Sequence, residues 1–131
     1  MKYLLDTNIC IYLINERPKK VLAHFKRHSL GDIGISSITA SELAFGVAKS
    51  ASSKNSAALE AFLLPLNVVD YDAGAAMIYG DIRAKLEKQG KTIGPLDMLI
   101  AASALSRQLI LVTNNEKEFR RISKLKVENW L

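Results

Sequence analysis

The stretch Tyr3-Leu4-Leu5-Asp6-Thr7-Asn8 constrains this chain more than any other. Three apolar residues make strand material, and a carboxylate ends them where a helix opens. Parallel α/β sheets bind ligands beyond the carboxyl ends of their strands, where strand gives way to helix. Asp6 therefore falls at the mouth of a site. It is also the only charged residue between Lys2 and Glu16. The same isolation recurs at Glu42, the only ionisable side chain between Asp32 and Lys49, and at Asp97, alone between Lys91 and Arg107. A carboxylate in an apolar stretch points inward or toward a partner, because burying it unpaired is costly.

The rest of the chain alternates short apolar runs with helical patterns. After the strand at Lys2–Asp6, Ile9 to about Asn15 reads as a helix. Arg17-Pro18 opens a second, with Pro in its first turn and Val21, Leu22 and Phe25 on its core side. Asp32–Ser36 is a strand. Ser36-Ser37 supplies hydroxyl caps for a helix over Ile38–Ser50. That helix is apolar nearly all round, which predicts burial and makes Glu42 in need of a partner. A helix over Ala57–Leu64, a strand at Asn67–Asp70 and a long helix from the Asp72 cap to Gln89 follow, with Ala75, Tyr79, Ile82 and Leu86 as its apolar stripe. Pro95 opens a helix to Arg107, placing Asp97 in its first turn. Leu109–Val112 is a strong strand, Glu116–Ile122 a short helix and Lys126–Asn129 a weak edge strand. Strands alternating with helices predict an α/β fold with a mostly parallel sheet, and the length predicts one domain over residues 1–131.

Composition narrows the chemistry. A net charge of +5 favours an acidic partner, most simply nucleic acid. One cysteine, Cys10, allows no disulfide within the chain and fits a reducing compartment; it reads as a small buried hydrophobe. No apolar run reaches the ~18 residues of a membrane span, and the first residues read as a strand, not a signal peptide. If the first strand and the strand at 109–112 are central, Asp6, Glu42, Asp97, Asn115 and Glu118 converge at one end of the sheet. Crowded carboxylates disfavour each other's ionisation. A divalent cation removes the conflict, and oxygen donors without a Cys–His cluster select Mg²⁺ or Mn²⁺ over Zn²⁺. Such ions support phosphodiester hydrolysis, so the combination with a basic surface reads as a nuclease.

Leu5-Asp6-Thr7-Asn8, Ser41-Glu42-Leu43, Gly94-Pro95-Leu96-Asp97 and Val112-Thr113-Asn114-Asn115, in that order, resemble the signatures of PIN-domain ribonucleases. Ile93-Gly94-Pro95-Leu96-Asp97 and Thr113-Asn114-Asn115 with Glu118-Phe119 are similar to the VapC toxins of bacterial toxin–antitoxin pairs. The resemblance spans nearly the whole chain. It implies an α/β/α sandwich around a mostly parallel sheet of four to five strands. It also implies a Mg²⁺-dependent endoribonuclease, with Mn²⁺ able to substitute. Asp6, Glu42 and Asp97 match the family's acidic ligands. The fourth acidic position, usually in a Thr-x-Asp pattern, holds Asn115, a departure from the family. Either Glu118 supplies the missing carboxylate or Asn115 acts through its carbonyl. Thr7, Asn8 and Thr113 match polar positions that orient metal or phosphate. The resemblance further implies an RNA substrate, with a tRNA anticodon loop as first candidate. In-line attack by a metal-bound water predicts 5′-phosphate and 3′-hydroxyl ends. The resemblance also implies a homodimer, a VapB-like antitoxin assembled with the toxin, and a cytoplasmic location.

Each residue has a plainer reading. Asp6 caps a helix, Glu42 is a paired buried acid, and Asp97 complements a helix dipole. Their joint order in an α/β chain weighs against all three being incidental. His24 and His28 read as solvated. Tyr3, Tyr12, Tyr79 and Phe45 read as core rather than as platforms for bases. Arg120-Arg121 reads as a wet face that, beside the site, could hold phosphate. An aspartyl-phosphate phosphatase would need a second Asp where Asn8 stands, and a phospho-receiver domain an acidic pair and a Lys that this chain lacks. A non-catalytic RNA- or protein-binding scaffold of the same fold is the remaining alternative, separated from the enzyme by metal-dependent RNA cleavage.

Overall fold

The strands are short and apolar, and their alternation sorts the helices into two layers. The computed structural model describes residues 1–131. β1 (Tyr3–Leu5), β2 (Ile33–Ser36), β3 (Asn67–Val69), β4 (Ile110–Val112) and β5 (Val127–Glu128) form one sheet in the order β3-β2-β1-β4-β5. Every pairing is parallel, with Leu5 beside Ile35 on one side and Val112 on the other. Successive strand residues face opposite sides. Leu4 and Leu111 enter one core with Ile82, Leu86, Ile100 and Phe119; Tyr3, Leu5, Ile33, Ile35 and Val112 enter the other with Ile9, Leu13, Val21 and Leu59. α5 (Ala73–Lys88) and α6 (Pro95–Ser106) therefore cover the first face, and α1 (Thr7–Ile14), α2 (Lys19–Lys26) and α4 (Ser53–Leu63) the second. The architecture is the expected α/β/α sandwich.

The chain runs from β1 outward to β2 and β3, then returns to β4 on the other side of β1. The strand order thus switches between β1 and β4, where a crevice opens at the carboxyl ends. Asp6 lies at that switch, its N–H donating to the Val112 carbonyl at 2.9 Å.

Several local expectations shift. α1 starts at Thr7, because the Asp6 carboxylate accepts the Asn8 N–H and caps it. Pro18 is the cap of α2 rather than part of its first turn. α4 starts at Ser53, capped by the Ser52 hydroxyl. α7 (Glu116–Phe119) stops short of Ile122. The larger correction is α3 (Ser37–Ser50). Only Thr39 and Leu43 of it are buried; Ala44, Gly46 and Ala48 are exposed, and Phe45 is 68% exposed. Ile38 packs against one core and Leu43 joins the other, so α3 bridges the two at its start and then runs into solvent. The apolar surface around Phe45 is not covered by this chain.

His24 and His28 are not solvated either. Both imidazoles stack on the fully buried Trp130 indole at 4.9 and 5.1 Å between ring centroids, and Tyr3 tilts against His28 at 4.6 Å. His24 Nδ1 and His28 Nε2 are buried without a hydrogen-bond partner. The rings act as apolar surface that holds Trp130 against α2.

Candidate active site

Four segments bring their polar side chains to the crevice. Asp6 is 4% exposed. One carboxylate oxygen accepts the Asn8 N–H at 3.0 Å and the other accepts the Thr113 hydroxyl in a short hydrogen bond. Burial raises the Asp6 pKa above the usual carboxylate value, the two hydrogen bonds oppose that rise, and the charge of Glu42 adds to it. The Thr7 hydroxyl donates to Glu42 Oε1 at 2.7 Å and lies 3.2 Å from the Thr39 hydroxyl. The buried Ser36 hydroxyl in turn accepts the Thr39 N–H at 3.0 Å and caps α3. On the far side, Asn115 Nδ2 donates to Glu118 Oε2 at 3.0 Å, while the Asn115 N–H donates to Thr113 Oγ1 at 2.9 Å.

Asp97 sits half-buried in the first turn of α6, which Pro95 opens. Desolvation, then the charges of Asp6, Glu118 and Glu42, push its pKa from 3.8 up to about 6. The charges of Asp6, Glu118 and Glu42 thus all act on Asp97. The ion pairs of the protein, Arg83–Glu87, Arg107–Asp72 and Arg120–Glu116, involve none of them. A cation bound from outside the chain would offset this charge. The donors are all oxygens, which suits a hard divalent cation by type and charge. No three of the carboxylates already stand as a closed ligand set.

The eight residues singled out from sequence fall at or beside the crevice in unequal ways. Asp6, Glu42, Asp97 and Glu118 supply carboxylates, and Thr7 and Thr113 hold two of them. Asn115 and Glu118 are bonded to one another. Asn8 contributes its backbone N–H, while its side chain is exposed. Sequence reasoning missed Thr39, and with it the hydroxyl chain Ser36–Thr39–Thr7. The Ser36 cap was visible; the link from Thr39 across 32 residues to Thr7 was not. It also missed the tie between Tyr12 Oη and Asn114 Nδ2 at 2.8 Å. Arg121 donates to the Thr92 carbonyl at 3.1 Å, steadying the loop that leads to Asp97, and Arg120 pairs with Glu116.

The family model described as PIN domain matches residues 3–125. The chain belongs to the PIN-domain family. Within that family it is similar to the tRNA(fMet)-specific endonuclease VapC of Shigella flexneri, 46% identical over 131 residues, covering 99% of this chain and 98% of that protein. It is 47% identical to ribonuclease VapC2 of Haemophilus influenzae over 132 residues, covering 100% and 99%. Among solved structures, the DNA-bound VapBC complex of Salmonella typhimurium contains a chain that superposes with a TM-score of 0.94 at 43% identity, covering 100% and 99%. The chain is thus a VapC-type PIN domain, in a family of ribonucleases that occur in toxin–antitoxin pairs. No helix in it is long and apolar enough to cross a membrane.

Proposed function

We propose that this protein is a Mg²⁺-dependent endoribonuclease toxin that hydrolyses a phosphodiester bond of tRNA in the anticodon loop and is restrained by a VapB-like antitoxin. The observation that carries the reading is the hydrogen-bonded array in which Thr7, next to Asp6, holds Glu42 while Thr113 and Asn115 link Asp6 to Glu118, with Asp97 under the charge of all three and no cation of the protein paired to any of the four. These four would hold the metal, Mg²⁺ or Mn²⁺. Bound there, the ion supplies activation of an attacking water and charge for the leaving oxygen. The chain's own groups do the positioning. Thr113 and the Asn8 N–H fix both oxygens of Asp6. Thr7 turns Glu42 inward, and Asn115 turns Glu118. Attack by water rather than by the RNA 2′-hydroxyl leaves 5′-phosphate and 3′-hydroxyl ends.

The substrate assignment draws on the relatives named as tRNA(fMet)-specific endonucleases; single-stranded loops also suit a nuclease that must reach an unpaired backbone. The antitoxin assignment draws on the VapBC complexes. An apolar groove of about 270 Å³ between α1, α3 and α4, lined by Ile11, Ile14, Leu43, Val47 and Leu59, has Glu42 at its rim. An antitoxin segment seated there would reach the site. The exposed Phe45 surface of α3 and the exposed Met77 of α5 are apolar enough to serve a homodimer or hetero-oligomer. Such a pair would work in the cytoplasm.

The test is end mapping of RNA from cells after brief induction, wild type beside Asp6→Asn, with purified protein assayed with Mg²⁺, Mn²⁺ or EDTA. Metal-dependent cuts bearing 5′-phosphates are expected. Products with 2′,3′-cyclic phosphates would refute the chemistry.

A further inference from the structure

Tyr12 differs from the other aromatic residues around the cores. Part of its ring packs against the Leu5–Ile9–Leu13 cluster. It also lines a shallow, solvent-open cleft with Asn15, Arg17, Pro18 and Lys19. Its hydroxyl is tied to Asn114, which lies between Thr113, the partner of Asp6, and Asn115, the partner of Glu118. The ring is thereby fixed to the loop that carries half of the site. Beyond α1 the chain turns through Glu16 at φ +55°, and the Arg17 N–H donates to the Tyr12 carbonyl at 3.0 Å. That turn brings Arg17 and Lys19 to the same cleft. Both are exposed, and neither joins an ion pair.

A half-exposed aromatic ring with free cations beside it is how proteins hold single-stranded nucleic acid: the base stacks and the cations meet the phosphates. Anchoring the ring in advance lowers the ordering penalty on binding. We propose that Tyr12 is a substrate-binding residue on whose exposed face a base neighbouring the scissile bond lies, with Arg17 and Lys19 contacting the adjoining phosphates. This rests on the reading that the protein cleaves RNA.

The experiment begins with the wild-type protein and a cleaved RNA in which the nucleotides flanking the cut are replaced one at a time by abasic residues. One position should weaken binding and cleavage about tenfold or more, in the range of lost base–aromatic stacking. Binding is read with the Asp6→Asn background, so that it is separable from turnover. Tyr12→Leu should raise KM by a similar factor and erase the penalty at that abasic position. Tyr12→Phe keeps the ring and should restore most of the affinity. Charge reversal at Arg17 and Lys19 should weaken binding and flatten its salt dependence. If no abasic position matters, or if Tyr12→Phe is as damaging as Tyr12→Leu, the ring is only a strut for Asn114 and the proposal falls. If the wild type cuts no RNA at all, the underlying functional reading fails instead. Thermal melting of each variant identifies any that is merely unfolded, and the abasic series requires no variant of Tyr12.

Discussion

Asp97→Asn should make the metal-free protein more stable. Asp97 has a folded-state pKa of about 6 against an ordinary value of 3.8, and it makes no hydrogen bond that the amide would lose. A raised folded pKa means that the native state holds the proton more tightly than the unfolded chain. The stabilisation by that proton is complete below the unfolded pKa and disappears as pH rises through the folded value. Taken at face value the shift corresponds to about 3 kcal/mol. Half-burial leaves water to screen it, which reduces the penalty to about 1.5–2 kcal/mol. Asn also forfeits the attraction between a carboxylate and the start of α6, worth roughly 0.3–1 kcal/mol. The net gain at pH 7.5 is therefore about 1 kcal/mol, or about 4 °C in Tm for a domain of this size. Below pH 4 both side chains are neutral and the advantage vanishes. Adding Mg²⁺ should reverse the order, because an ion at a hundred times its Kd stabilises the native wild type by about 2.7 kcal/mol and the variant by less. The assay is a set of melting curves in EDTA from pH 4 to 8, repeated with Mg²⁺. A variant that melts at or below wild type in EDTA at pH 7.5, or keeps its advantage at pH 4, would refute the reasoning.

Asp6→Asn preserves shape at the end of β1 and removes the most buried charge of the site, so RNA cleavage should fall by orders of magnitude while folding persists; gel assays with a melting control check both. Asn115 and Glu118 act as a bonded pair, so Glu118→Gln and Asn115→Ala should each lower the cleavage rate and the double change should be less than additive; a wild-type rate in Glu118→Gln would remove that residue from the site. Trp130→Ala removes a fully buried indole from between Tyr3 and the two imidazoles, and urea titration should show a loss of about 3–5 kcal/mol. Gly34→Ala would place its Cβ 2.7 Å from Sδ of the exposed Met1 side chain, which can swing aside, but also 2.8 Å from the Asn67 carbonyl, which the sheet holds in place. Thermal unfolding should register a loss of about 1–3 kcal/mol.

What could be read from residues alone was whatever depends on neighbours along the chain. Asp6 announced a strand end because apolar residues precede it and a helix pattern follows. α5 was bounded by its own punctuation, the Asp72 cap and Gly90 at φ +66°. The lone carboxylates were legible because isolation in an apolar stretch is a local property. What escaped depends on partners far along the chain. The helical pattern of α3 says that it is apolar, not whether this chain or another molecule covers it; Phe45 lies in the open as a result. His24 and His28 share a stretch with Lys26 and Arg27, which reads as wet, yet Trp130, about a hundred residues on, lies against both rings. The apolar surroundings of Tyr12 in sequence predict core, which describes only the part of its ring that packs on the cluster. The Asn115–Glu118 bond is the kind a local pattern does carry, since a short helix brings residues three apart together.

The hydrogen bond between Thr113 and Asp6 joins residues separated by 107 positions. Synthesis proceeds from the amino end, so a ribosome that has released Asp6, Thr7 and Glu42 has made only half of the locus. Asp97 must follow, and then β4 must insert beside β1 before Thr113 can reach its acceptor. The site therefore cannot be complete on a nascent chain until β4 has emerged and paired with β1, which makes the last third of the chain the part that switches the carboxylate cluster on.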